Sequence, residues 1–224
     1  LIVNGLEPDF WRAPTDNDFG NGMPTRCAVW REAGKNRRTE KVEIRRLSPD
    51  RIEVAIEAVP GGTDARHRTR LVVDGGGGLF VRVDFQPGEK PLPEMPRFGM
   101  QLRMPAGFET LSWFGRGPGE TYWDRRSAAF VGLYRGTVDE QLHPYVRPQE
   151  SGNKSDVRWA ALRNPEGWGL QAIGDLWLNV QAGRVDIADF ENGPEKENRH
   201  TVDLKQQPWV QLRIDDRQTG VGGD

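Results

Sequence analysis

Residues 41–58 read KVEIRRLSPDRIEVAIEA and alternate between apolar and mostly charged side chains. The apolar positions recur at every second residue on both sides of Ser48-Pro49-Asp50, a tripeptide typical of turns. A period of two is the spacing of one face of a β-strand, so this segment predicts two half-buried antiparallel strands joined by a hairpin. The residues predicted to face a core are Val42, Ile44, Ile52, Val54, Ile56 and Ala58.

Similar strand patterns continue along the chain, separated by Gly-rich or Pro-rich segments such as residues 74–78 and 90–96. So many strands without intervening helices favour an all-β fold, a large antiparallel sandwich forming a single domain over residues 1–224. The further predicted strands are 68–73, 79–86, 97–104, 109–114, 128–134, 157–163, 168–173, 177–181, 200–204 and 209–215.

One short helix is predicted near residues 25–33. Thr25 suits the N-cap position, and Gly34 suits the left-handed residue that ends a helix. The residues before Thr25 are rich in Pro, Gly, Asp and Asn, so we expect an irregular segment that side-chain hydrogen bonds hold in place.

Composition excludes several classes of protein. Of 224 residues, 36% are hydrophobic and 29% charged, and no apolar run approaches the roughly 18–20 residues of a membrane span. The net charge of −2 gives no overall field that would attract nucleic acid or an anionic membrane. The single Cys27 excludes an internal disulfide. We expect a soluble bacterial protein, and the cytoplasm, the periplasm and secretion all remain possible locations. We also expect a fragment of a longer chain, because the sequence starts at Leu1 with neither an initiator Met nor a signal segment.

The first polar motif is FWRAPTDNDFGNG, residues 10–22. Two aspartates around an asparagine suggest a calcium loop, but Cys27 stands where an EF-hand requires its bidentate glutamate. The structural alternative is that these side chains hold a coiled segment to the sandwich. The two glycines that end the motif would also permit a hinge. Its candidate residues are Arg12, Asp16, Asn17 and Asp18.

The second motif is FGRGPGETYWDR, residues 114–125, which lacks the Lys-Ser/Thr ending of a phosphate loop. A tight turn here would bring Glu120, Trp123 and Asp124 to one rim, and an aromatic ring beside carboxylates suits a sugar site. The structural alternative is a buried network of arginines and carboxylates that closes a corner of the sandwich.

The third motif is HPYVRPQESGNKSDVRW, residues 143–159, which leads from two prolines into a strand. Glu150 with His143 could form an acid/base pair. The chain has three histidines and no Gly-x-Ser-x-Gly elbow, so catalysis by these residues has little support. The other candidate residues of this motif are Asn153 and Arg158.

Together with the closing motif DDRQTGVGGD, residues 215–224, these motifs resemble the small-chain (fifth) domain of glycoside hydrolase family two β-galactosidases. The motifs follow the family order, and the resemblance covers nearly the whole chain. It implies a supersandwich of the galactose mutarotase-like type. It also implies that the two catalytic glutamates and the magnesium ligands lie in an upstream (β/α)8 barrel. No catalytic residue, metal ligand or cofactor is therefore expected in this chain, and the parent enzyme would take Mg²⁺ from its barrel domain.

The resemblance further implies an accessory role without catalysis. The domain would wall the active-site cleft of a parent that hydrolyses terminal β-D-galactosides with retention, and would aid its assembly. The implied partners are the remaining domains of the parent, the galactoside substrate and further copies of the parent. In the family a substrate-contacting Trp follows the Gly-Gly-Asp ending. The residues that the resemblance places at the cleft loop are Gly20, Asn21, Gly22, Arg26 and Asp224.

Two alternatives stay open at this point. The chain could be an autonomous carbohydrate-binding module that uses exposed Trp faces, which titration with galactose or lactose would detect. It could also be an aldose 1-epimerase, although His67 and His200 lie in different predicted strands.

One residue departs from the family pattern: Trp123 adds an aromatic ring where the family more often has Asn-Tyr before Asp.

Overall fold

The computed structural model describes residues 1–191 and 199–222. The chain falls into two compact units, one made of Leu1–Ala28 with Met95–Asp224 and the other of Val29–Glu94. The single domain over residues 1–224 stays a prediction. None of the helices in the described ranges is long and apolar enough to cross a membrane.

Nearly half of the described residues lie in strands and few lie in helices, so the predicted all-β antiparallel class is confirmed. The mutarotase-like supersandwich stays a prediction. The helices are short: α1 (Asp16–Asn21), α2 (Met23–Arg26) and α3 (Ile187–Phe190). The strands are β1 (Asn4–Asp9), β2 (Arg38–Ser48), β3 (Arg51–Val59), β4 (Arg66–Asp74), β5 (Leu79–Gln86), β6 (Arg97–Pro105), β7 (Thr110–Gly117), β8 (Phe130–Thr137), β9 (Lys154–Arg163), β10 (Gly169–Gly183) and β11 (Trp209–Gln218).

The larger unit contains a sheet whose described strands run in the order β1-β6-β11-β10-β9-β7-β8, with antiparallel pairing between neighbours. One face of this sheet carries its hydrophobic core. Trp113 of β7 pairs with Ala160 of β9, and both side chains are almost completely buried. Alternation places every second residue of each strand on the core face. The core includes Leu102, Met104, Leu111, Val157, Leu162, Val180, Val210 and Leu212.

The smaller unit contains a sheet in which the described strands follow the sequential order β2-β3-β4-β5. Ser48 pairs with Arg51 across the predicted turn, so the hairpin is confirmed. The apolar face of this sheet is buried at one end only, where Ala58 and His67 lie. At the other end, the expectation of half-buried side chains facing a core is wrong for the described residues. There Val42, Ile44 and Ile52 are 54%, 71% and 47% exposed.

Three strand predictions differ from the structure. Residues 200–204 were predicted as a strand, but Thr201–Asp203 is a 3₁₀ turn, because the Asp203 carboxylate accepts the His200 N–H at 3.1 Å and closes a local ring. The predicted strands 168–173 and 177–181 are one strand, β10, whose pairing with β9 shifts register between Ile173 and Leu178. Strand β1 was not predicted, since Pro8 interrupts its pattern.

The predicted helix near residues 25–33 is wrong in its bounds. Helix α2 begins at Met23 after Gly22 and ends at Arg26, and a 3₁₀ turn follows at Ala28–Trp30. Thr25 is therefore inside the helix rather than at its N-cap. Gly34 is not among the described glycines with positive φ. The segment before Thr25, which was predicted to be irregular, contains helix α1.

Candidate functional site

The opening motif is held by a buried ion pair between Arg12 and Asp18. The guanidinium of Arg12 donates to both carboxylate oxygens of Asp18, at 2.5 and 2.9 Å, and the two residues are 1% and 2% exposed. Such a bidentate pair fixes both position and orientation. Asp18 also accepts the backbone N–H of Thr15 at 2.7 Å, which completes a capping box at the start of α1.

The two aspartates of this motif differ in role. Asp18 is buried, whereas the side chain of Asp16 is half exposed and lies 4.0 Å from Arg147. A calcium loop would need the carboxylates of both aspartates as ligands, but the carboxylate of Asp18 already binds Arg12 and the N–H of Thr15. No group of three or more His, Cys, Asp or Glu side chains in the described ranges could hold a metal ion. The arrangement supports the structural interpretation of the motif.

The closing motif is bound by the opening motif. Arg12 donates to the carbonyl oxygen of Gly220 at 2.6 Å and to Thr219 Oγ1 at 3.1 Å. Asn17 Nδ2 donates to the carbonyl oxygen of Val221 at 3.1 Å. The opening motif and residues 219–221 therefore lie side by side within the larger unit, and Asn17 acts in this attachment.

Asp124 of the second motif holds the same segment from another direction. Its carboxylate accepts the N–H groups of Val221 and Gly222, at 3.0 and 2.6 Å. A Cβ at position 220 would lie 2.7 Å from the Asp124 carboxyl carbon, so a larger residue there would have to displace this carboxylate. The structure thus brings the first, second and closing motifs together. Asp224, a predicted cleft residue, lies outside the described residues.

Trp123 presents its ring next to this junction. The side chain is 65% exposed, and the Arg126 guanidinium lies 4.6 Å from the ring centroid. Arg126 is held by Asp156, whose carboxylate it contacts at 2.6 Å. A largely exposed aromatic ring that also contacts a guanidinium is an apolar platform held in place by a cation–π interaction.

The remaining carboxylate of the second motif, Glu120, is occupied by protein groups. It accepts from Arg125 and from the Tyr145 hydroxyl, and its other oxygen accepts the Gly152 N–H at 2.7 Å. Asn153 is completely buried and donates to the Thr121 carbonyl at 2.8 Å. These contacts tie the second motif to the third.

Arg158 has a different environment from its motif neighbours. It donates to the backbone carbonyl of Asp156 at 2.6 Å, and its guanidinium lies over the rings of Phe114 and Trp177 at 5.6 and 5.1 Å. Its side chain is therefore stacked between two partly exposed aromatic rings at the sheet surface.

Glu150 belongs to a buried charge network that the sequence did not reveal. Its carboxylate accepts from Gln181 Nε2 at 2.8 Å and the Ala13 N–H at 3.1 Å, and lies 3.4 Å from Arg97. The ring of His143 instead packs edge-on against Tyr145, with centroids 4.3 Å apart. None of the described contacts of Glu150 involves His143, so the structure gives no support to the acid/base pair.

Arg97 is the hub of this network and is completely buried. It contacts Asp9 at 3.4 Å and Asp215 at 3.2 Å, in addition to Glu150. Burial alone would lower the pKa of Arg97, but the three carboxylates raise it above its usual value. A lone arginine in a strand carries no sequence signal for this role.

Asp215 is the least well satisfied member of the network. Neither carboxylate oxygen has a hydrogen-bond partner in the described part of the chain, although Arg97 Nε lies within ion-pair distance. Burial raises the pKa of Asp215 to about 7, and the nearby Arg97 only partly offsets this effect. The folded chain therefore holds this proton more tightly than the unfolded chain, whose aspartates titrate near ~3.9.

We expect Asp215→Asn to remove a pH dependence of stability. The Asp215 contribution to the free energy of unfolding is largest below about pH 4 and declines as pH rises toward 7. As the pH rises from about 4 to 7, Asp215→Asn should therefore gain stability relative to the unmodified chain. Urea titrations at several pH values measure the difference. Asp216→Asn, a substitution at the exposed neighbouring residue, is the control, and its stability difference from the unmodified chain should not change with pH. Parallel curves for Asp215→Asn and the unmodified chain would contradict the assignment.

The predicted cleft loop, residues 20–26, covers the end of α1, the residue between the two helices and α2. Gly20 and Asn21 are the last residues of α1, and Gly22 adopts a left-handed φ of 77° that ends it. Arg26 is exposed and donates to the Asn21 carbonyl at 2.7 Å. The turn between the helices is thus ordered by a left-handed glycine and a side-chain hydrogen bond.

Alanine at the two glycines should have opposite effects on stability. A Cβ at Gly20 or at Gly22 meets nothing within 4 Å, so only the backbone distinguishes them. Gly20→Ala should stabilise by about 0.5–1 kcal/mol because Gly20 is helical. Gly22→Ala should destabilise by about 1–2 kcal/mol because of its positive φ. Thermal unfolding of both variants measures this, and equal shifts would refute the local backbone account.

Comparison with known proteins places the chain in a family. The family model described as "Beta galactosidase small chain" matches residues 1–224. The β-galactosidase of Priestia megaterium is 37% identical over 224 residues, covering 100% of this chain and 21% of that protein. The β-galactosidase of Streptococcus thermophilus is 31% identical over 226 residues, with the same coverage, and that of Lactobacillus delbrueckii subsp. bulgaricus is 34% identical over 221 residues, covering 96% and 21%.

The chain belongs to the β-galactosidase small-chain family. It spans about a fifth of the length of these relatives. The resemblance inferred from the four motifs is confirmed.

Proposed function

We propose that this chain is the small-chain segment of a β-galactosidase and walls the substrate cleft of that enzyme without catalysing the reaction itself. The observation that carries the proposal is the family match over residues 1–224. Relatives that share this segment are named β-galactosidases. The parent would hydrolyse terminal β-D-galactosides with retention, using two carboxyl groups about 5–5.5 Å apart. We place those groups and the magnesium ligands in the part of the parent outside this chain.

The contacts of the motif carboxylates support a structural role. Glu120 binds Arg125, Tyr145 and the Gly152 N–H, and Glu150 binds Gln181 and Arg97. A catalytic carboxylate must reach a substrate, and these two are already surrounded by protein donors. Their task is to hold the motif loops in fixed positions.

The junction of the motifs is the part of the chain that we propose to face the substrate. Arg12 and Asp124 fix the backbone from Thr219 to Gly222, and Trp123 exposes its ring beside it. The apolar face of a galactoside can pack on such a ring, while α1 and α2 would border the same cleft. The chain would thus orient the sugar and limit access of water to the cleft.

The test compares two exposed tryptophans in the full-length parent. Trp123→Ala should lower kcat/KM for a galactoside roughly five- to tenfold, since one ring contact contributes about 1 kcal/mol, and should leave Tm unchanged. Trp168→Ala is the matched control, because Trp168 is 75% exposed in the β9–β10 turn, away from the motifs in sequence. Equal kinetics for the two variants would remove Trp123 from the cleft.

A carbohydrate-binding role for the chain alone is a second candidate. Trp123, Trp168 and Trp177 expose 65%, 75% and 58% of their side chains, and exposed indole rings are platforms for sugars. Calorimetric titration of the chain with galactose and lactose at millimolar concentration separates the two functions. Saturable binding would favour an autonomous module, whereas flat titrations together with galactoside hydrolysis by the full-length parent would favour the cleft wall.

A further inference from the structure

The sheet of residues 29–94 has one face on which apolar side chains form continuous rows across its strands. In one row Ile44 pairs with Val54, Val54 with Leu71, and Leu71 with Val81. In the next row Ile52 pairs with Val73, and Val73 with Leu79. Paired residues on neighbouring strands point to the same face of a sheet. We call the exposed members of these rows and their neighbour Val42 the apolar patch: Val42, Ile44, Ile52, Val73, Leu79 and Val81.

Exposure along this face changes steadily from one end to the other. On β4, His67 and Thr69 are 2% and 6% exposed, whereas Val73 is 46% exposed. The apolar patch lies at the end bounded by the two turns, and its members are between 37% and 71% exposed. Burying such side chains is worth roughly 1.5–3 kcal/mol each, so leaving six of them in water is unfavourable.

The opposite face of the same strands carries most of their charged side chains. Lys41 pairs with Glu43 at 3.0 Å, and Arg82 with Asp84 at 3.3 Å, all with exposed side chains. Most charged side chains of these strands therefore lie on the face opposite Ile44, with Arg46, which pairs with Ile52, on the apolar face. The opposite face also carries an exposed aromatic ring, Phe80, which pairs with Val72. Contiguous apolar patches rimmed by charge mark protein interaction sites.

We propose that the apolar patch docks against an apolar surface of the β-galactosidase polypeptide that lies outside these 224 residues. The inference rests on the proposed function, because about four fifths of each relative's length lies outside this segment. A surface in the same assembly acts at high effective concentration. A second copy of this chain, bound by a two-fold contact, would need a patch complementary to itself, whereas a different surface of the same polypeptide does not. The six members of the patch are uncharged, and Arg46 lies at its margin beside Ile52, so the occupant is a mainly apolar surface.

A photo-crosslinking residue in the full-length parent tests the occupant directly. Benzoylphenylalanine replaces Ile44 in one variant and Arg45 in the matched control, since Arg45 is adjacent in sequence and points to the charged face. We expect crosslinks from position 44 to peptides outside the 224-residue segment, and few from position 45. Crosslinks at position 44 to the same segment of a second copy, crosslinks within the segment, or equal yields at both positions would each overturn the proposal.

A charge substitution gives a second readout in the same protein. Ile44→Glu should lower the Tm of the full-length parent by several degrees, whereas Arg45→Gln on the opposite face should leave it within one degree or so. Equal melting of Ile44→Glu and the unmodified parent would contradict docking. Galactoside hydrolysis by the unmodified parent is measured separately, so that a missing activity counts against the proposed function and a missing crosslink against the docking surface.

Discussion

Replacing Arg97 by Met should destabilise the chain by about 3–5 kcal/mol, the cost of leaving buried carboxylates without their cation. Arg97 is completely buried and lies within 3.4 Å of Asp9, Glu150 and Asp215. It also donates to Gln181 Oε1 at 3.0 Å. Met fills a similar volume but supplies no charge, so the loss reports the electrostatic role and not a cavity. Urea unfolding at pH 7 measures the change.

Two controls define the origin of this effect. Arg103→Met removes another arginine of β6, one that is partly exposed and pairs with Asp186 at 3.2 Å, and should cost about 1 kcal/mol or less. The Arg97→Met deficit should shrink as pH falls, because protonation neutralises the carboxylates that the variant leaves alone. A deficit that is the same for Arg97 and Arg103, or that does not change with pH, would show that the network is not organised by Arg97.

Asp18→Ala is expected to have the second largest effect, again about 3–5 kcal/mol. The substitution strands the buried Arg12 guanidinium and removes the acceptor that caps α1 through Thr15. Because Arg12 also holds Gly220, the closing motif should loosen together with the opening one. Thermal unfolding gives the stability change, and limited proteolysis shows whether cleavage concentrates at the two ends of the chain.

The neighbouring aspartate provides the control for this experiment. Asp16 is in the first turn of the same helix, but its side chain is half exposed, so Asp16→Ala should change stability by less than about 0.5 kcal/mol. Similar losses for Asp16 and Asp18 would mean that the helix needs only acidic residues in its first turn. That result would refute the special role of the buried pair.

The strands of the smaller sheet were the most predictable part of the fold. The predicted bounds 79–86 coincide with β5, and the hairpin at residues 48–51 has the expected turn. These strands pair with sequence neighbours, so local alternation and turn chemistry contain all the required information. Their burial was not predictable, because alternation indicates which face is apolar but not what covers it.

The candidate site was predictable in its residues but not in its contacts. The motifs pointed to Asp18, Asp124 and Glu150, and all three are anchors. Their partners come from distant parts of the chain: Arg97 lies 53 residues from Glu150, and Gly222 lies 98 residues from Asp124. Periodicity and spacing describe neighbours along the chain, so pairings at this separation become visible only in three dimensions.

The central position of β11 sets the timing of folding during synthesis. Strand β11 lies between β6 and β10 in the sheet. The carbonyl group of Gly220, which binds Arg12, comes 208 residues after Arg12 in the sequence. At roughly 5–20 residues per second, the ribosome needs about 10–40 s to make the intervening chain. The hairpins of the smaller sheet can close in about 1–10 μs once they emerge. The hairpin sheet can therefore form long before the partners of the opening motif in the closing motif have been synthesised.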